Sequence, residues 1–152
     1  MAGTARQIDL GAAAGAGLAA GVVYALTAEI DNRISGRNLD DLKLLGRPIV
    51  RDSKWAKLAG VPVHLFNSVT LAIGFAFVQS RLPGRPAARG IAFACFEGTI
   101  LYPIAAFEEL HPGIRDGQIE RYFTLSAYLL SIPRHVTYGA TLGVLYERWR
   151  RR

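Results

Sequence analysis

The chain has 152 residues, 51% of them hydrophobic and 20% charged, with a formal net charge of +6. That length fits one domain. The basic excess could suggest nucleic acid, but it lies in short loops and in the tail Arg148-Trp149-Arg150-Arg151-Arg152, the ordinary flanks of apolar spans, and argues against a nucleic-acid partner.

Four stretches are too poor in charge to be the amphipathic helices of a soluble domain. Residues 11–28 and 62–80 carry no charge, residues 90–107 carry only Glu97, and residues 122–146 carry only Arg134, with His135 beside it. Each is ~18–25 residues long, which at 1.5 Å per residue matches a hydrocarbon core ~30 Å thick. The mean hydropathy of +0.20 is modest because a charged connection and a basic tail lower it. The expected fold is all-α. It is a single membrane domain over residues 1–152, a bundle of four transmembrane helices, with an interfacial amphipathic segment at residues 29–60 between helices 1 and 2.

In chain order, a short head with Arg6 and Asp9 leads into the first span, where twelve of the 18 residues from Gly11 to Ala28 are Gly or Ala. Small residues let helix backbones approach closely in a membrane, and Gly11/Gly15 and Gly17/Gly21 have the spacing for it. A cleaved signal peptide is the rival for this stretch, with Val23-Tyr24-Ala25 as its site, but the apolar run is long and Asp9 spoils the head. The glycines also resemble a dinucleotide turn, yet no strand precedes them.

Residues 29–60 mix seven basic with five acidic side chains. Leu39, Leu42 and Leu45 share one helical face, and Trp55 among lysines suits headgroup depth. The second span opens on Pro62, placed as a first-turn proline, with Ser68, Ala72 and Ala76 as its small face. A tight basic turn, residues 81–89, leads to the third span, in which Ala94 and Gly98 form a small pair and Pro103 predicts a kink. The fourth span has Gly139 and Gly143 as its small pair.

The head, the turn at 81–89 and the tail share one membrane face with eight basic residues. The two other connections share the opposite face with nine basic residues and nine acids. The count of bases does not set the orientation. The closeness of the arginines to the span ends on the terminal face favours both termini in the cytoplasm.

Charged groups inside a span need partners. The rise per residue places Glu97 ~12 Å from the terminal face and Arg134 at the same level, ~12 Å from that face across a ~30 Å core. A buried Glu97–Arg134 ion pair is therefore expected, supported by Tyr138, Thr137 or Ser131, with His135 turned about 100° away. Glu97, Arg134, His135 and Tyr138 form the buried polar cluster. Glu29, His64, Asn67, Glu108 and His111 form a second, interfacial cluster. Glu108-x-x-His111 has the spacing of carboxylate-bridged metal bundles, but the second motif such a bundle needs is missing, so no metal is expected. Haem held by two histidines is disfavoured because His64 and His135 lie at different depths. No cofactor is identified from the sequence; a bound lipid or pigment, or a pigment or haem contact through a single histidine, stays open. No hydrolase signature or phosphate loop is present, so no catalytic residue is assigned. The lone cysteine, Cys95, offers no disulfide framework.

Val63-His64-Leu65-Phe66-Asn67 at a span start, Glu97 followed by Tyr102-Pro103, His111-Pro112, and the run from Arg134-His135 through Tyr138-Gly139 and Gly143 to Glu147 together resemble a family of small, uncharacterised four-helix bacterial integral membrane proteins. The resemblance covers most of the chain from Leu39 onward. It implies a topology, and that these polar positions come as a set; it brings no assigned chemistry.

The leading expectation is a small multi-pass protein of the bacterial cytoplasmic membrane. It would be an accessory or structural subunit rather than an enzyme, in contact with lipid and with a protein partner or further copies of itself through its small-residue faces. A protein or enzyme that binds a lipid, pigment or hydrophobic ligand through Glu97, Arg134 and His135 is the first alternative. An oligomeric transporter or proton path is the second.

Overall fold

A computed structural model describes residues 8–150. Arg6, Arg151 and Arg152, which enter the charge asymmetry, lie outside them. Every regular element among the described residues is a helix, with no strand among them.

Helix α1 spans Leu10–Ser35. Its N-cap is Asp9, whose carboxylate accepts from the Ala12 amide at 2.8 Å, and Gly36 ends it in the left-handed conformation, φ 66°. Helix α2, Asp41–Gly46, starts on the Asp40 cap. Helix α3, Ser53–Val78, starts on the Asp52 cap, so the segment expected along the interface at residues 29–60 is divided among the end of α1, α2 and the first turns of α3. Pro62 is therefore inside α3 rather than in its first turn. Helix α4 runs Pro86–Leu101 and passes into a 3-10 segment, Tyr102–Leu110. The kink expected at Pro103 is thus a change of helix type, since proline leaves the carbonyl of Thr99 without its α-helical donor. Helix α5 is the short Pro112–Arg115, and helix α6, Leu125–Trp149, begins three residues later than expected, on the Thr124 cap.

The long helices pack in a row: α4 on α6, α6 on α1, and α1 on α3, with α2 laid on α3. Small residues set this order. A Cβ added to Gly17 would stand 2.6 Å from the Ala72 Cβ, and one on Gly21 2.5 Å from the Ser68 hydroxyl, so α1 and α3 touch through backbone. On the other flank Gly90 of α4 lies against the carbonyl of Gly139 in α6, and Gly143 against that of Pro86. Gly46 and Gly60 join α2 to α3 in the same way.

The segments Leu10–Ser35, Ser53–Arg81 and Pro86–Leu110 are each long and apolar enough to cross a membrane. Helix α6 has the length, 25 residues, but is not among them. It lies in the middle of the row, and the polar residues that lower its hydropathy, Arg134 and Tyr138 among them, point inward. Outward faces are apolar: Leu18, Val22, Leu26 and Ile30 run down α1 at four-residue spacing, all exposed. Soluble proteins rarely show such a stripe.

Gly90→Ala is expected to push α4 off α6 and lower stability by about 1–3 kcal/mol. Gly74→Ala, whose new methyl would meet only the Phe93 ring at 3.8 Å, should leave it unchanged. Thermal unfolding of the two variants in the same detergent checks this.

Candidate functional site

Arg134 fixes the loop end of the molecule. It is 2% exposed. Its Nε donates to Asp31 at 3.2 Å, Nη1 to Asp41 at 2.8 Å and to the Leu39 carbonyl at 3.1 Å, and Nη2 to Asn32 at 3.1 Å. Asn32 in turn donates to the Leu39 carbonyl at 3.1 Å. The expected Glu97–Arg134 pair does not form. Helix α6 starts at Leu125, so Arg134 stands only nine residues in, about 13 Å, and helical side chains lean toward the N-terminus. Helix α1 also runs on to Ser35, which brings Asp31 and Asn32 to the guanidinium. The Tyr122 phenol closes the node by donating to Asp41 at 2.9 Å. Burial first, and the Asp41 carboxylate second, push that phenol well above its ordinary range, so Tyr122 stays a donor.

Glu97 faces His135 instead. Its carboxylate lies 3.8 Å from His135 Nε2, with the two side chains 21% and 18% exposed. His135 Nδ1 donates to the Ser131 carbonyl at 2.8 Å, which fixes the ring and turns Nε2 toward α4. Gly98 makes this approach possible, because a Cβ there would stand 2.5 Å from Nε2. Tyr24 meets the His135 ring edge-on at 5.5 Å and the His64 ring at 5.3 Å. His64 Nε2 donates to the Gly21 carbonyl at 2.9 Å, and Tyr138 reaches across to α3, donating to the Ser68 carbonyl at 2.8 Å.

These residues line the floor of a groove of about 570 Å³ between α3 and α4. The two helices meet near their shared turn, where the Phe75 and Phe93 rings are 5.5 Å apart, and diverge beyond it because α6 and α1 lie between them. Leu71 and the exposed Asn67 form the α3 rim, and Leu101 and Ala105 the opposite one. Leu44 and Leu45 of α2 close the loop end.

The expected interfacial cluster does not converge. Glu29 pairs with Lys57 at 2.7 Å and with Arg33 at 3.0 Å. Glu108 accepts from Arg121 at 2.7 Å and from the amides of Tyr122 and Phe123 at 2.5 and 2.9 Å, which fixes the entry to α6. His111 accepts from the Gly113 amide at 3.2 Å and donates to the Leu44 carbonyl at 2.8 Å, tying α5 to α2. Only His64 and Asn67 of this set belong to the groove. No group of metal-ligating side chains gathers among the described residues.

Sequence reasoning missed Asp31, Asn32 and Asp41 as the acceptors of Arg134, and Tyr24 and Gly98 as neighbours of His135. The available signal was the run Glu29-Ile30-Asp31-Asn32, whose spacing continues the first helix past its apolar part.

Helices of this apolarity, with ionic groups turned inward, define a small membrane protein. The chain belongs to the Family of unknown function (DUF6789), whose family model matches residues 8–152. No curated protein and no solved structure matches it.

Removing Arg134 leaves the half-buried Asp31 and Asp41 without their cation. Arg134→Leu is expected to cost about 3–5 kcal/mol, whereas Glu97→Gln should stay within about 1 kcal/mol. Equal losses in detergent melts would count against the Arg134 node as the dominant tie of the loop end.

Proposed function

We propose that this protein crosses the membrane four times and holds an amphiphilic membrane molecule in the groove between α3 and α4. The observation that carries this is the groove itself: a cleft of about 570 Å³ between two apolar helices, with leucine and alanine on its rims beside Asn67 and a floor of His64, Glu97, His135 and tyrosines. Ligand sites are concave and mostly apolar with a few convergent polar groups. A cleft between apolar helices admits a lipid-borne molecule from the side. In this reading α6 is the fourth crossing, central in the row, with Leu129, Ile132 and Val144 as its lipid-facing residues.

A subunit role needs small-residue faces that are free to dock. Those faces are engaged within the chain, Gly17 and Gly21 against α3 and Gly90 against α6, so ligand holding is favoured over partner docking. The groove approaches Glu97 from the lipid side, which suits binding better than passage across the membrane.

Orientation follows from how the charges are matched. On the loop face Arg37 meets Glu120, Arg47 meets Asp116, Lys57 meets Asp40 and Arg121 meets Glu108. The terminal face holds Arg81, Arg85, Arg89 and Arg148 against fewer acids, Asp9 and Glu147. We place that face, with both termini, in the cytoplasm.

Ala105→Trp should obstruct the groove at its rim. Native mass spectrometry of protein extracted from its membrane is expected to find a bound lipid-sized mass in the wild type and to lose it in this variant at unchanged melting temperature. A wild type that carries none, and gains none from added lipid extract, would sink the ligand role.

Single cysteines placed at Arg51 and at Arg85 in a Cys95→Ala background test the topology. An impermeant maleimide should label the first in intact cells and the second only after permeabilisation. Labelling of both from one side would rule out the four crossings.

A further inference from the structure

We infer that the groove selects an amphiphile whose head carries a hydroxyl group, a phenol above all, held between His135 and Glu97. This rests on the ligand-holding role proposed above and names the chemistry of its ligand.

The separation of His135 Nε2 from Glu97 Oε2, 3.8 Å, is too long for a direct hydrogen bond. It suits a single oxygen about 2.8 Å from each. His135 cannot swing to close the distance, because Nδ1 is held by the Ser131 carbonyl at 2.8 Å and the ring lies against Gly98. Both side chains line the groove, so one oxygen between them meets both.

The protonation of the pair decides what fits there. Unbalanced charge is disfavoured in an apolar surround, so the pair is most stable with one proton between its two members. With the proton on Glu97, the carboxyl donates and Nε2 accepts. With it on His135, Nε2 donates and the carboxylate accepts. Each state offers one donor and one acceptor, and a hydroxyl answers both at once. An ether or a carbonyl oxygen only accepts, and leaves one member of the pair without a partner.

The neighbouring rings favour a flat head. Tyr24 stands edge-on to His135 at 5.5 Å, and Tyr128 and Tyr138 line the same groove. The Tyr128 hydroxyl is engaged with Thr99 at 2.9 Å and the Tyr138 hydroxyl with the Ser68 carbonyl at 2.8 Å, so these residues present ring rather than hydroxyl. Aromatic walls accept an aromatic head in edge or offset contact.

The test compares para-dodecylphenol with its methyl ether, titrated against the full-length protein in nanodiscs and followed by native mass spectrometry. The phenol is expected to bind about tenfold more tightly, or better, the usual effect of one matched hydrogen bond to an ionisable partner. Glu97→Gln, which keeps one donor and one acceptor, should retain the preference. Glu97→Leu and His135→Leu should bring the two probes within about twofold. Equal wild-type affinities, with both probes displaced by Ala105→Trp, would overturn the hydroxyl selection and leave the groove's role standing. Failure of both probes to bind at all would overturn the hydroxyl selection and the groove's role together. The wild-type comparison decides the matter even where a leucine variant does not fold.

Discussion

A guanidinium carried into a row of apolar helices must find acceptors, and Arg134 finds four on three different pieces of chain. Asp31 and Asn32 come from the end of α1, the Leu39 carbonyl from the connection, and Asp41 from the start of α2. Leaving any one of them out would strand a buried charge or a buried acceptor. The connection between α1 and α3 is therefore not free to lie on the membrane surface. It is drawn over the end of α6, which sets α2 on top of α3 and gives the groove its closed end. Tyr122 adds a second tie through Asp41, so the entry to α6 and the start of α2 are fixed by the same carboxylate.

Close backbone contact does the rest. Glycine against carbonyl joins α4 to α6 and α2 to α3, and glycine against serine and alanine joins α1 to α3. Contacts of this kind pull helices together in pairs, and each pair uses the small face of both members. With α1 and α6 taking the middle places, α3 and α4 have no small face left for one another. An open row results instead of a closed square, and the cleft is what remains between its two outer members.

The charge-free runs made the helices legible, since nothing but a membrane or a very large core accepts ~18 apolar residues in succession. The small-residue pairs at Gly17/Gly21 and Gly139/Gly143 also pointed to tight packing, though not to which helix they would meet. The ends were harder. Asp31 and Asn32 look like loop residues because they follow an apolar run, yet the helix continues through them to meet Arg134. The Glu97–Arg134 match failed for the same reason. It treated the side chains as points at the depth of their Cα atoms, while a long arginine on the first turns of a helix reaches back toward its start. His135, expected to turn away from the pair, is the residue that Glu97 faces, because Gly98 opens a place for its ring that spacing alone does not reveal.

The 3-10 stretch after α4 has a consequence for the shape of the cleft. Three residues per turn stack every third side chain in one line along the axis, where an α-helix would swing them round by 100° steps. Tyr102, Ala105 and Glu108 fall on that line and are the shielded ones of the segment, while Ile104, Phe107 and Leu110 form the parallel line that faces outward. The far jamb of the cleft is thus a blade one side chain wide, apolar on its back and graded along its edge from phenol to methyl to carboxylate. Drawn out at about 2.0 Å per residue rather than 1.5 Å, the same nine residues also reach about a third further, so a short α4 still meets the level of the Arg134 node.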